Sequence, residues 1–194
     1  MKNITKHPVI KMLEEFIELN KISASDMWRL GIDLLNSPDD QFVRRTGIRT
    51  FGAHVEGVLH RMKQIALETA VVTKVEFTEG EVKKLKGEER KDFGENFRFT
   101  INIYARAFRT DFELPNRNNS PGRRSFNTVI GIRDRLMHPK TAADFHITDD
   151  ETNHAVGAWE WFQSELGKLL NSTMKSFEAY ANEAAHARQA NPPL

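Results

Sequence analysis

Apolar residues in this chain recur every three or four positions and nowhere alternate in sustained steps of two, which predicts helices throughout and an all-α fold. Residues 8 to 20 open at Pro8 and align Ile10, Leu13, Ile17 and Asn20, with Phe16 beside them, predicting a short amphipathic helix. Ser23-Ala-Ser-Asp26 has capping-box spacing and precedes Met27, Leu30, Leu34 and Leu35, so a second short helix is expected before Ser37-Pro38. Ser37-Pro-Asp-Asp40 then reads as a start signal: a capping serine, proline at the first helical position and two acids where the helix dipole favours them. The long helix that follows carries Phe51, Val55, Val58, Leu59, Met62, Ile65 and Ala66 to about Thr69. Val71-Val-Thr-Lys-Val-Glu-Phe77 is β-branched but has no pairing partner and reads as a helix end and loop.

Thr78-Glu-Gly-Glu81 caps a short charged helix, and residues 86 to 95 form a polar connector. Phe97, Ile101, Tyr104, Phe108 and Phe112 make a core stripe that Pro115 ends. After the turn-rich loop 114 to 122, a helix runs from about Arg123 until Pro139 stops it. Thr148-Asp-Asp-Glu151 caps the last helix, whose stripe includes Ala155, Trp159, Phe162, Leu166, Leu169 and Leu170 and reaches about Ala187. The expected architecture is a bundle of about four main helices preceded by one or two short N-terminal ones: an extension over 1–40, the bundle over 41–187 and a frayed tail over 188–194.

Composition narrows the class. With 194 residues, 39% hydrophobic and 28% charged, the chain is too apolar for disorder, and no run approaches the 18 or more uncharged apolar residues of a membrane span. Met1 to Pro8 has neither an apolar core nor a small-residue cleavage site, so a cytoplasmic protein is expected. The absence of cysteine excludes disulfides, thiolate nucleophiles and cysteine-based metal sites. No Gly-rich phosphate loop, nucleophile elbow or zinc-protease motif occurs, and no cofactor is expected. His54 and His60 are six apart, so with Glu56 they do not make an i, i+4 zinc pair, and no metal is expected.

The formal net charge of +1 hides an uneven distribution, because residues 98 to 140 sum to +6 and 141 to 194 to −5. Either the two segments neutralise each other, or the first presents a basic surface to an anion such as RNA phosphate.

Candidate chemistry concentrates between 123 and 138. On a helical wheel of roughly 100° per residue, Arg133 falls among Phe126, Ile130 and Met137, a charge at the centre of an apolar stripe, whereas Arg135 points to the opposite, solvent side. A guanidinium there needs either a pairing carboxylate or an anionic ligand. Asp134 and His138 are four apart, within reach for the carboxylate to hold an imidazole N–H, and His138 ends the helix. A fixed cation beside a titratable imidazole suits phosphoryl transfer on RNA without a metal. The same wheel equally fits an internal Arg–Glu pair with a C-capping histidine.

Ile132-Arg-Asp-Arg-Leu-Met-His-Pro-Lys140 resembles the defining motif of the HEPN superfamily, an arginine, a polar residue, several others and a histidine, here Arg133, Asp134 and His138. The loop and capped helix from Lys140 to Glu151, the aromatic helix from Phe97 and the Arg44-Arg45 pair look similar too, so the resemblance spans roughly 40 to 172. It implies a homodimeric helical bundle whose motif helices meet across the twofold axis. It also implies a metal-independent endoribonuclease of defence, toxin–antitoxin or abortive-infection systems that leaves a 2′,3′-cyclic phosphate; other members are non-catalytic RNA-binding or assembly modules. His138 would be the acid/base, Arg133 the phosphate ligand and Asp134, standing where asparagine is frequent, the orienter. Arg44, Arg45, Arg135 and Lys140 are the expected RNA contacts, with Arg49 beside them, and RNA, a second copy and an antitoxin-like protein the expected partners. The alternative is a dimeric scaffold that binds RNA or protein through the same cleft. Of Trp159 and Trp161, two apart, only one can face the core, and His146 and His154 are expected at the surface.

Overall fold

A computed structural model describes residues 8–89, 92–114 and 120–190, with the backbone alone from 181 onward. Its described residues form six α-helices and a 3-10 turn and contain no strand: α1 Pro8–Asn36, α2 Gln41–Thr73, α3 Glu79–Leu85, α4 Phe93–Ala107, α5 Pro121–Met137, the turn Ala142–Phe145, and α6 Asp149–Ala190. The all-α expectation holds. No described helix is long and apolar enough to cross a membrane.

Local signals explain most element ends. Thr78 and Glu81 close a reciprocal capping box on α3, Asp92 accepts from the Glu95 N–H at the start of α4, and Ser120 caps α5 with Pro121 behind it. Thr148 and Glu151 make the same reciprocal pair before α6, with Glu151 N–H to Thr148 Oγ1 at 3.2 Å and Thr148 N–H to a Glu151 oxygen at 3.0 Å.

Three expectations change. The two short N-terminal helices are one, α1, because Ser23 does not cap a helix: its hydroxyl lies 2.6 Å from His54 Nδ1. The long helix starts three residues late, since Ser37 accepts from the Asp40 N–H in a turn and Asp40 caps α2 by accepting from Phe42 at 2.8 Å. The aromatic helix ends at Ala107, so Phe112, half-buried, lies beyond it, and Arg109 follows with φ 54°. The expected tail lies largely outside the described residues, as does most of the loop 114 to 122, and α6 runs to Ala190.

Cα packing divides the chain otherwise than at residue 40, into two compact units. The first comprises Met1–Arg61 and Pro115–Ser164, the second Met62–Leu114 and Glu165–Leu194. In the first, Val9, Leu13 and Phe16 of α1, Ile48, Phe51 and Val55 of α2, Phe126 and Val129 of α5, and Trp161 and Phe162 of α6 are buried. Phe51 meets Phe126, Trp159 and Phe162 edge-on at 5.8, 6.4 and 6.1 Å between ring centroids, and Phe126 stacks on Phe162 at 6.1 Å. Trp161 is the buried tryptophan of the pair, and Trp159 is half-buried. Gly122 permits this packing, because a Cβ there would lie 2.5 Å from Trp161 Cβ. In the second unit, Met62, Ile65, Phe97, Ile101, Tyr104, Phe108, Leu166 and Leu169 are buried. Thr73, buried, donates to Thr69 O and Ala107 O, and Tyr180 donates to Val72 O.

Candidate functional site

The motif lies within the first unit, on the last turns of α5 and the loop that follows. Arg133 leans along α2 because Gly52 leaves room: a Cβ at that position would lie 3.0 Å from Arg133 Cγ and 3.2 Å from Nε. Four residues on, one turn along the same face, Glu56 accepts from Arg133 Nη2 at 2.6 Å. Asp134 accepts from Nη1 at 3.0 Å. The guanidinium therefore sits between two carboxylates, with its side chain 20% exposed. The Asp134 carboxylate thus holds Arg133 and not the His138 imidazole, contrary to the expected orienting role.

His138 ends α5, its backbone N–H donating to Asp134 O at 3.0 Å. Its side chain is exposed and makes no hydrogen bond or ion pair among the described residues. Both structural halves of the alternative read from the wheel, an Arg–Glu pair and a C-capping histidine, are present; the arrangement also leaves a solvent-facing imidazole five residues on from a fixed cation.

The loop after His138 is held almost carbonyl by carbonyl. Arg45 donates to Phe145 O at 3.2 Å, Arg135 to His146 O at 3.2 Å, and Arg44 to Ile147 O at 2.9 Å. Gln41 makes a two-way amide pair with the Ile147 backbone at 2.8 and 2.9 Å. Arg49 donates to Leu136 O at 3.1 Å and lies 6.0 Å from the Phe145 ring. Asp144 accepts from the Lys140 and Thr141 N–H groups, each at 2.7 Å, and these bonds hold its carboxyl below its ordinary value.

These contacts sort the expected RNA-binding residues. Arg44 is buried and bonded to Pro38 O, Ile147 O and Asp149 Oδ1 at 2.6, 2.9 and 2.6 Å, so it serves the fold and is out of reach of phosphate. Arg135 forks onto both oxygens of Glu151 at 2.9 and 3.1 Å. Partial burial pushes the Glu151 carboxyl up, but Arg135, the Thr148 N–H and His146 outweigh it and hold it below its ordinary value. Arg45 and Arg49 are bonded to neutral carbonyls and keep their charge available, and Lys140 is exposed.

No known family, curated protein or solved structure matches this chain.

Sequence reasoning missed the roles of four residues. Glu56 pairs with Arg133 and Gly52 makes room for it, and neither has a local signature, since both depend on which face of α2 meets α5. Arg123, wholly buried, sits 5.1 Å from both the Phe126 and Trp161 rings. His54 is the fourth. The Gln163 amide nitrogen can only donate, so at 3.2 Å it gives a proton to His54 Nε2, and the single imidazole proton lies on Nδ1, facing the Ser23 oxygen. Burial lowers its pKa from 6.5 to about 4. His54 is thus a neutral core histidine, and no group of three or more His, Asp or Glu poised for a metal occurs among the described residues. His154 is half-buried, its Nδ1 3.1 Å from Ser125 Oγ, and His146 is exposed.

Proposed function

We propose that this protein is a HEPN-like, metal-independent endoribonuclease that acts as a homodimer in a defence, toxin–antitoxin or abortive-infection setting. The observation that carries the reading is the solvent-facing His138 imidazole at the end of the helix that carries Arg133, five residues on from it, with the following loop pinned by Arg45, Arg135 and Arg44. In the reaction the 2′-oxygen forms a bond to phosphorus, the P–O5′ bond breaks, the 2′ proton passes to an imidazole and the departing 5′ oxygen gains a proton. One chain offers one such imidazole, and two copies supply the base and the acid. Arg133 stabilises the charge that builds on the phosphorane oxygens, exchanging Asp134 or Glu56 for phosphate as substrate arrives.

A second reading has its own observation. Two carboxylates already neutralise Arg133, which favours a dimeric scaffold binding RNA or protein without cleavage. Incubation of the full chain with labelled mixed-sequence RNA in EDTA, beside His138→Ala and Arg133→Ala, separates them. The nuclease reading expects cyclic-phosphate ends from wild type alone, while cleavage surviving in His138→Ala refutes it. A folded wild type that binds RNA in a salt-dependent way and leaves it intact favours the scaffold.

A further inference from the structure

The C-terminal half of α1 has no fully buried residue: Val9, Leu13 and Phe16 anchor the first half, while Met27, Leu30 and Leu34 are only half-buried beside a groove of about 350 Å³. The groove belongs wholly to the first unit, with α1 on one side and Ile48, Phe51, Ala155 and Trp159 on the other. Trp28 and Leu35 stand on its rim 72% and 83% exposed, with Ile32 and Val156 beside them. Isolated apolar residues at a surface need no explanation, but a contiguous set lining a groove marks an interaction site.

The spacing along α1 says what kind of partner fits. Ala24, Trp28, Gly31 and Leu35 stand at steps of four, three and four, whereas the charged Glu14 and Lys21 hold the corresponding positions after Ile10 and Ile17. The stretch from Ala24 to Leu35 is the seam of a helix pair, with positions that want a facing helix. Large and small residues alternate along it, and the order reverses onto itself: run antiparallel, one register sets Trp28 against a second copy's Gly31 and Leu35 against its Ala24, with both contacts repeated by symmetry. A Cβ built at Gly31 meets nothing within 4 Å, so the gap that the indole would fill is open. A patch that carries both its knobs and the matching gaps is what a twofold interface requires. Trp28, Ile32, Leu35 and Val156 expose on the order of 500 Å² per copy before the groove walls are counted, against the roughly 800 Å² each partner gives a stable interface.

We propose that two copies of this chain associate through an antiparallel pairing of α1 between Ala24 and Leu35, Trp28 of each copy docking over Gly31 of the other. The pairing uses neither Arg133 nor His138, so it is a different surface from the shared site of the proposed nuclease; where both form, it adds a second association step, which only the α1 substitutions remove. Analytical ultracentrifugation of the full chain over a micromolar concentration series tests it, with circular dichroism recorded alongside. Gly31→Leu is the telling variant. Within one copy leucine has room and favours the helix, yet it closes the gap to the partner's indole. Wild type should dimerise, and Gly31→Leu and Trp28→Ser should each weaken the dimer more than tenfold at unchanged helicity. Val71→Ser, at an equally exposed apolar site on α2, should leave it unchanged. A monomeric wild type, or a dimer indifferent to both α1 substitutions, overturns the pairing.

Discussion

Replacing His54 with leucine removes a titratable group that folding holds neutral, and the effect on stability should depend on pH in a defined window. The imidazole is 5% exposed, ringed by Trp159 and Phe162 at 5.3 and 5.6 Å, and its Nε2 faces the amide hydrogens of Gln163, where a second ring proton has no acceptor. Its pKa falls from 6.5 to about 4. Above 6.5 both folded and unfolded chains carry it neutral, so it contributes nothing to the pH dependence. Between 6.5 and 4 only the unfolded chain binds the proton, so native stability is lost as pH falls, and below 4 the loss levels off. At about 1.4 kcal/mol per pH unit the window amounts to about 3 kcal/mol. Urea unfolding of wild type and His54→Leu at pH 7 and pH 4 isolates this, because all other titrating groups are common to both. Leucine costs stability at pH 7, where the Ser23 and Gln163 bonds are lost, and the difference should shrink by about 3 kcal/mol at pH 4. Parallel curves would refute both the neutral tautomer and the depressed pKa.

Other outcomes follow from single contacts. Arg44→Ala should destabilise the protein by about 3 kcal/mol in urea unfolding, because it leaves the Pro38 carbonyl unpaired and removes the bonds to Ile147 O and Asp149, whereas Arg45→Ala should stay within about 0.5 kcal/mol. Gly122→Ala should cost about 2 kcal/mol despite alanine's better helix propensity, because its Cβ would lie 2.5 Å from that of Trp161; a variant as stable as wild type would show that α5 and α6 give way freely there. Glu56→Gln keeps a hydrogen-bond acceptor for Arg133 but removes one negative charge, so a gel-shift titration at low salt should show RNA binding several-fold tighter. Unchanged affinity would show that Arg133 does not meet phosphate.

The sequence determined the elements whose causes are local. Thr78 and Thr148 announce the starts of α3 and α6, because a capping side chain needs only the backbone three residues on. The stripe from Phe97 to Phe108 defined the buried face of α4, and the wheel placed Arg133 among apolar neighbours, because helical periodicity is a property of the chain itself. Tertiary structure decided everything that depends on which face meets which. Ser23 carries a capping signature, yet its hydroxyl meets His54 and the helix runs through it. Arg135 looked like a solvent residue on its own helix and found Glu151 on another. Arg44 resembled a surface cation and became a buried strut. Arg133 needed a carboxylate or an anion, and only the approach of α5 to Gly52 supplied Glu56. A local pattern records where a side chain points from its own helix axis; what it meets there is fixed by packing between distant segments, which no short stretch of sequence encodes.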